Sequence, residues 1–256
     1  MHPLLITIIA TALISLTSLA GLFLFFVKEK SLDRVLPFLV TMAAGSLLGA
    51  AFFDLIPESL EGLTNIETID IFVFVVYGFT TFFVLDQILR WNHCYRTKHD
   101  PHCETMRSTN YLIILGDILH NAIDGAIIAI SFLTNPGLGV STTLAVIFHE
   151  IPSEIGDMSI LIYRGMKKKK ALAINILTAF SAVVGGLVGY FVSERFFGFN
   201  QFLLAFAAGT FIYISTTDLI PEIKNDHNDN ALRAFAHFIS FAFGLVLLFI
   251  IVKNLE

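Results

Sequence analysis

Charged side chains are scarce in this sequence of 256 residues, at 14% of the total, whereas hydrophobic residues make up 55%. A typical soluble domain has about 25% charged residues. The shortage argues against an ordinary soluble enzyme or a nucleic-acid-binding domain, so no nucleic-acid partner is expected. The composition instead predicts an integral membrane protein that is surrounded by the lipid bilayer.

Cysteine is almost absent as well, and Cys94 and Cys103 are too few to form a disulfide scaffold. Lys and Arg are absent before the first apolar run, which begins within MHPLLITIIA. A secretory signal peptide needs a positively charged start, so this run is expected to remain as a membrane span. No long polar stretch separates the apolar runs, and residues 1–256 are expected to form a single transmembrane domain.

The long apolar runs predict the fold class, an all-α membrane protein with eight transmembrane helices. Each run has about the 20 residues that a helix needs to cross the hydrocarbon core. The connections between runs are short except for loop 92–108. The predicted spans are 4–27, 35–57, 69–91, 109–133, 138–163, 170–193, 200–221 and 233–253.

The basic residues predict how these spans are oriented. Of the 16 Lys and Arg residues, all but Arg195 and Lys253 fall in the first, third, fifth and seventh loops. Loops rich in Lys and Arg remain in the cytoplasm. Both termini are therefore expected outside, with loop 92–108 and the run Lys167–Lys170 in the cytoplasm.

Two distant segments share a phrase, AAGSLLGAAFFDLIPE at 43–58 and AAGTFIYISTTDLIPE at 207–222, with a constant offset of 164. The charge pattern predicts that the two segments run in opposite directions. The sequence therefore predicts an inverted repeat of spans 1–3 and 6–8 around spans 4 and 5, as in many transporters. Asp54 and Asp218 become candidate gate residues that face opposite sides. The alternative is that Pro and Glu simply end a helix twice.

Polar residues cluster at the predicted middle of the fourth and fifth spans, in GDILHNAIDG (116–125) and HEIPSEIGD (149–157). A charged residue at the centre of the membrane costs roughly 2.5–3.5 kcal/mol, so several at one depth need a positive partner. Imidazole and carboxylate groups together suit zinc, iron, manganese or nickel, and do not suit calcium. The candidate metal ligands are His120, Asn121, Asp124, His149, Glu150, Ser153 and Glu154.

Further polar residues outline a possible pathway for the metal. Asp117 and Asp157 both lie on the cytoplasmic side of the cluster and are candidates for an inner exit, with helix-packing hydrogen bonds as the alternative. Asn175 is the polar residue that the sixth span offers. Loop 92–108 contains three His and two Cys residues, which could capture released metal or simply be solvated. His237 is interpreted as a packed histidine.

Other classes of protein can be weighed against a metal carrier. HEIPS begins like the HExxH motif of zinc proteases, but Ser153 stands where the second His would be. A di-iron hydroxylase would need more histidines than His120 and His149. A channel lined by carboxylates is a third alternative, although the inverted repeat favours a carrier.

The chain resembles the ZIP (Zrt/Irt-like) family of divalent metal transporters. GDILHNAIDG is similar to the HNxxDG signature of the fourth span, and HEIPSEIGDMSIL is similar to the HExPHExGD motif of one branch. The resemblance implies a site for two metals between spans 4 and 5, with His120, Asp124 and His149 on one metal and Asn121 and Glu150 helping to hold the second. Ser153 departs from the family pattern, which usually has His or Glu there.

The resemblance also implies what the protein does and where it works. It implies zinc transport into the cytoplasm, with iron, manganese, cadmium and nickel as alternative substrates, and neither enzymatic activity nor a cofactor. It implies an elevator-like movement of one helix bundle, and commonly a homodimer. Because the large ectodomain of the animal relatives is missing, the plasma membrane of a prokaryote is expected.

Overall fold

The structure, a computed structural model, describes residues 3–26, 29–61, 67–97, 105–163, 166–195, 200–219 and 231–255. Every regular element in these ranges is helical. The α-helices are α1 (Pro3–Ser15), α2 (Phe23–Phe26), α3 (Glu29–Ala50), α4 (Ile56–Leu60), α5 (Thr68–Thr97), α6 (Thr105–Thr134), α7 (Pro136–Tyr163), α8 (Lys168–Ala179), α9 (Ser181–Arg195), α10 (Asn200–Tyr213) and α11 (Ala231–Leu255).

The helices follow the predicted spans closely, and the all-α membrane class is confirmed. By length and composition, six stretches of the described chain could cross a membrane. The two predicted spans outside this set, 138–163 and 200–221, fall on α7 and α10. Helix α7 carries the polar residues of HEIPSEIGD, which lower its hydropathy.

Three of the predicted spans change helix type along their length. The first contains a 3₁₀-helix at Leu16–Leu22, and π-helices occur at Ala51–Leu55 and Ile214–Leu219. The two π-helices lie inside the two repeated phrases and at the same place in each, since 51–55 corresponds to 215–219 at the offset of 164. Short π-helical turns occur frequently at functional sites, and the two predicted gate residues lie in them.

Glycines allow the backbones of two helix pairs, α3 with α11 and α5 with α10, to approach closely. At each of four glycines, a Cβ atom would lie only 2.0 or 2.1 Å from a carbonyl oxygen of the opposing helix. The contacts correspond between the repeats, because Gly45 and Gly209 are 164 residues apart, as are Met42 and Phe206. The four contacts are Gly45 with Phe241, Gly209 with Val75, Gly244 with Met42, and Gly78 with Phe206.

Helices α3, α5, α10 and α11 form one group, and a second group of helices contains the polar motifs. Helix α6 packs against α7 and α9, and α1 packs against α6 and α9. A Cβ atom at Gly185 would lie 1.8 Å from the carbonyl oxygen of Ala122, so α6 and α9 are in backbone contact beside the HNAIDG motif. Helix α7 also packs against α3, and so it joins the two groups of helices.

Candidate metal centre

Four predicted ligands come together where α6 and α7 face each other. His120 and Asp124 are four residues apart on α6, which places both side chains on one face of the helix. His149 and Glu150 project from α7 toward that face. Each of these four residues offers a ligand atom, and all four atoms lie within 4.8 Å of one another.

The separations between the ligand atoms match a tetrahedral metal site. The Nε2 atoms of His120 and His149 are 3.1 Å apart. Asp124 Oδ2 lies 3.6 and 2.9 Å from these two nitrogens, and Glu150 Oε1 lies 3.2 and 3.4 Å from them. A zinc ion with four bonds of about 2.0–2.1 Å has ligand atoms about 3.3–3.4 Å apart. These five separations are close to those expected for zinc, and all four atoms lie within 4.8 Å of one another, so the cluster could hold such an ion.

A hydrogen bond in α7 orients the ring of His149. Its Nδ1 lies 3.2 Å from the carbonyl oxygen of Ala145, one turn earlier. A carbonyl only accepts, so Nδ1 of the neutral ring carries the proton and Nε2 presents its lone pair. The Nε2 atom of His149 lies 2.9 Å from Oδ2 of Asp124, and this carboxylate oxygen is also an acceptor. Two acceptors this close together favour a cation between them, and such outer hydrogen bonds are typical of metal-bound histidines.

The cluster is buried, which makes its charge costly without a counterion. Asp124 and Glu150 are each 1% exposed and His149 is fully buried, while His120 retains 21% exposure. Glu150 Oε1 has no hydrogen-bond partner other than what the two imidazoles can supply. Two ionised carboxylates with two neutral imidazoles carry a charge of about −2, which one divalent metal ion neutralises.

The other predicted ligands lie on α6 and α7 near this cluster, and they differ in how many of their polar atoms have hydrogen-bond partners. Asn121 is buried and donates from Nδ2 to Asp117 Oδ1 at 2.7 Å, while its own Oδ1 lacks a hydrogen-bond partner. Glu154 is buried with both carboxylate oxygens unpartnered. Ser153 is half-buried, one helical turn beyond His149. The oxygens of Asn121 and Glu154 are thus available near the first cluster.

The predicted pathway residues occupy different environments. Asp54 is buried and accepts a hydrogen bond from Ser141. Asn175 donates to the carbonyl oxygen of Glu154 at 3.4 Å and so contacts the backbone of α7. Asp157 is half-buried on α7. The side chains of Asp218 and of the His and Cys residues in loop 92–108 lie outside the described residues.

Exposure is unequal on the two sides of the cluster. Toward one side, Ile127–Phe132 of α6 and Ala145 and Val146 of α7 are all buried. Toward the other side, residues 116–120 of α6 are half-buried or exposed, and Gly156 of α7 has no atom within 4 Å of where a Cβ would stand. Burial is thus more complete toward Ser141, which we call the sealed side, than toward residues 116–120 and Gly156, which we call the open side.

Sequence reasoning singled out the residues of the cluster as candidate ligands but missed the residues that support them. Ser141, Ala145 and His149 are spaced four apart along α7, a signal that could have drawn attention to Ser141. The interpretation of His237 as a packed residue is confirmed. Its Nδ1 lies 3.0 Å from Thr41 Oγ1, and its ring stacks on Phe38 at 4.7 Å between centroids.

The fold and the cluster define a polytopic membrane protein with a largely buried group of side chains between two helices that could hold a metal ion. The sequence profile of the ZIP Zinc transporter family matches residues 2–96 and 91–252. The chain therefore belongs to the ZIP zinc transporter family, and the resemblance found in the sequence is confirmed. Members of this family are transporters, which removes the alternative of an intramembrane metalloenzyme.

Named relatives agree with this assignment. Zinc transporter YKE4 of Saccharomyces cerevisiae is 32% identical over 261 residues, covering 90% of this chain and 73% of the relative. Zinc transporter zipt-7.1 of Caenorhabditis briggsae is 26% identical over 290 residues, covering 89% and 74%. Human zinc transporter ZIP10 is 35% identical over 125 residues, which are 49% of this chain and 15% of the relative.

Proposed function

We propose that this chain carries zinc across the plasma membrane into the cytoplasm through a site formed by His120, Asp124, His149 and Glu150. The observation that carries the proposal is the set of four ligand atoms within 4.8 Å of one another, on residues of which three are buried and His120 is partly buried. Iron, manganese, cadmium and nickel are the alternative substrates, since all accept imidazole and carboxylate ligands.

The transport mechanism depends on the metal ion neutralising the charge of the two carboxylates. Zinc sheds its water as the two imidazole nitrogens and two carboxylates replace the hydration shell. Because the bound ion offsets both carboxylates, the loaded site is cheaper to move through the membrane than the empty one. His149 is held ready for this exchange by its hydrogen bond to Ala145.

The route of release follows the open side of the site. Asp117 of α6 and Asp157 of α7 are half-buried on this side of the cluster, and they attract an ion that leaves His120 and His149. The positive-inside assignment makes this side cytoplasmic and leaves both termini outside. In this orientation the conformation described here opens inward, with the outer path sealed around Ser141.

The transport cycle rests on an arrangement of eight spans, with spans 1–3 and 6–8 as an inverted repeat around spans 4 and 5. The matched π-helices at 51–55 and 214–219 and the corresponding glycine contacts support this symmetry. An elevator-like shift of the helices that hold the metal against the remaining ones, in a homodimer, would then alternate access.

A second metal position is proposed beside the first. The unpartnered oxygens of Asn121 and Glu154, together with the second oxygen of Glu150, are the groups that could form it. Ser153 is a poor ligand for a transition metal, so this second position binds more weakly than the first.

Zinc uptake into liposomes that contain the purified protein tests the proposed function. Saturable uptake is expected for the wild type and should fall at least tenfold in His149→Ala and Glu150→Ala, because each variant removes one of four ligands. Ser159→Ala is the control, since this hydroxyl on the same helix only donates to the carbonyl of Ile155. Well-folded wild-type protein without uptake of any of the metals would refute the proposal.

A further inference from the structure

A buried polar contact links α7, the helix that carries His149 and Glu150, to the repeated phrase in the other group of helices. The Ser141 hydroxyl of α7 donates to the Asp54 carboxylate in the π-helix Ala51–Leu55. The two residues are 87 positions apart in the chain, and they are 1% and 5% exposed. A hydrogen bond to a buried carboxylate is among the stronger polar contacts in a protein.

This contact lies directly above the metal site on the sealed side. Ser141, Ala145 and His149 follow one another at intervals of four, so they form one line along the face of α7. Ala145 is fully buried between the hydroxyl and the metal ligand. An ion that enters from the sealed side must pass this line of residues to reach His149.

The hydroxyl has other acceptors, and this makes the contact exchangeable. Ser141 Oγ also lies 2.9 Å from the carbonyl oxygen of Leu138 and 3.2 Å from that of Gly137, both in its own helix. A hydroxyl has one proton to donate. When α7 moves away from α3, the proton can pass to a carbonyl of α7, and Asp54 is left for another partner.

We propose that Ser141 is a positioning residue that closes the outer path by holding Asp54, and that releasing it frees the Asp54 carboxylate to meet incoming metal. This inference rests on the proposed transport function. The hydrogen bond stabilises the inward-opening state, and breaking it raises the fraction of molecules whose site faces outward. The aspartate thus exchanges the Ser141 hydroxyl for a divalent cation when the path opens.

The expected effect on transport follows from the fraction of molecules whose site faces outward. The apparent affinity for external metal is the intrinsic affinity multiplied by the fraction of molecules that can bind. Ser141→Ala should therefore lower the apparent KM for zinc about threefold to tenfold, without a matching rise in kcat. Ser141→Thr keeps the hydroxyl and should restore the wild-type KM. Ser131→Ala is the control, because this buried hydroxyl bonds only to the carbonyl of Ile127 in its own helix.

A labelling experiment measures the opening of the path without relying on zinc. Cys94 and Cys103 are replaced by Ser, and Ala145→Cys places a single thiol between Ser141 and His149. A membrane-impermeant maleimide added outside intact cells should react slowly with this thiol. Adding Ser141→Ala should accelerate labelling at least threefold, whereas adding Ser131→Ala should not.

The two measurements separate failure of this inference from failure of the proposed function. If the wild type takes up zinc and loses uptake in His149→Ala, the transport proposal stands whatever Ser141 does. Unchanged labelling in Ser141→Ala, or a KM equal to or above that of the wild type, would then overturn the role of Ser141. If Ser141→Ala fails to fold, an unaltered KM and labelling rate in Asp54→Ala would overturn it as well, because that variant removes the acceptor.

Discussion

At the scale of single residues, the candidate metal centre consists of side chains that do not satisfy one another while both imidazoles are neutral. His149 uses Nδ1 on the Ala145 carbonyl, so its Nε2 faces the Asp124 carboxylate as a second acceptor. A structural polar network would pair donors with acceptors instead. The mismatch is relieved by a cation, which is why these residues are better suited to binding metal than to packing helices.

Ser153 gives a prediction at this scale. Four ligand atoms already complete a tetrahedron without its hydroxyl, so Ser153→Ala should change the KM for zinc uptake less than about twofold. Asp124→Ala, which removes one of the four, should raise the KM more than tenfold, since a lost ligand costs well over about 1.4 kcal/mol. Uptake kinetics in liposomes measure both, and a loss of uptake in Ser153→Ala would place that hydroxyl on the metal.

The ligands could be predicted from the sequence because charged residues are rare in a membrane span and therefore stand out. The supporting contacts could not be predicted. Ser141 meets Asp54 only because two helices pack together, and nothing in either local sequence specifies the partner. The carbonyl of Ala145 likewise becomes important only through the ring orientation of His149.

At the scale of helices, length and apolarity predicted most of the elements. An apolar run of about 20 residues in a membrane has little choice other than a helix, because its backbone must satisfy its own hydrogen bonds. The π-helices at 51–55 and 214–219 and the 3₁₀-helix at 16–22 were not predicted. Each is a local change of hydrogen-bond register that depends on packing rather than on composition.

Two glycines give a prediction about helix packing. Gly185 is in backbone contact with Ala122 on the helix that carries His120 and Asp124, so Gly185→Ala forces α9 and α6 apart. Overpacking of this kind lowers the free energy of unfolding by about 1–3 kcal/mol. Both the thermal stability in detergent and zinc uptake should therefore fall. The matched control is Gly156→Ala, where an added Cβ meets nothing within 4 Å. Equal melting temperatures for the two variants would contradict the close contact.

At the scale of the whole molecule, the metal site lies between a sealed side and an open side. Residues Ile127–Phe132 are all buried, whereas residues 116–120 are half-buried or exposed and a Cβ at Gly156 would meet no atom within 4 Å, so the two sides of the site are unequally covered. A carrier needs a second conformation in which these roles are exchanged, and the inverted repeat proposed above would supply one by symmetry. The direction in which the described conformation opens then depends on which side of the membrane this end faces.

The native cysteines can decide that direction, because Cys94 and Cys103 both lie in loop 92–108. If this loop is cytoplasmic, a membrane-impermeant maleimide should leave the wild-type protein unlabelled in intact cells and label it once the cells are permeabilised. Lys253→Cys in a Cys94→Ser, Cys103→Ser background is the matched control, since the exposed C-terminal end of α11 should react in intact cells. The reverse pattern would place the open side of the metal site outside and make the described conformation the one that receives metal from outside.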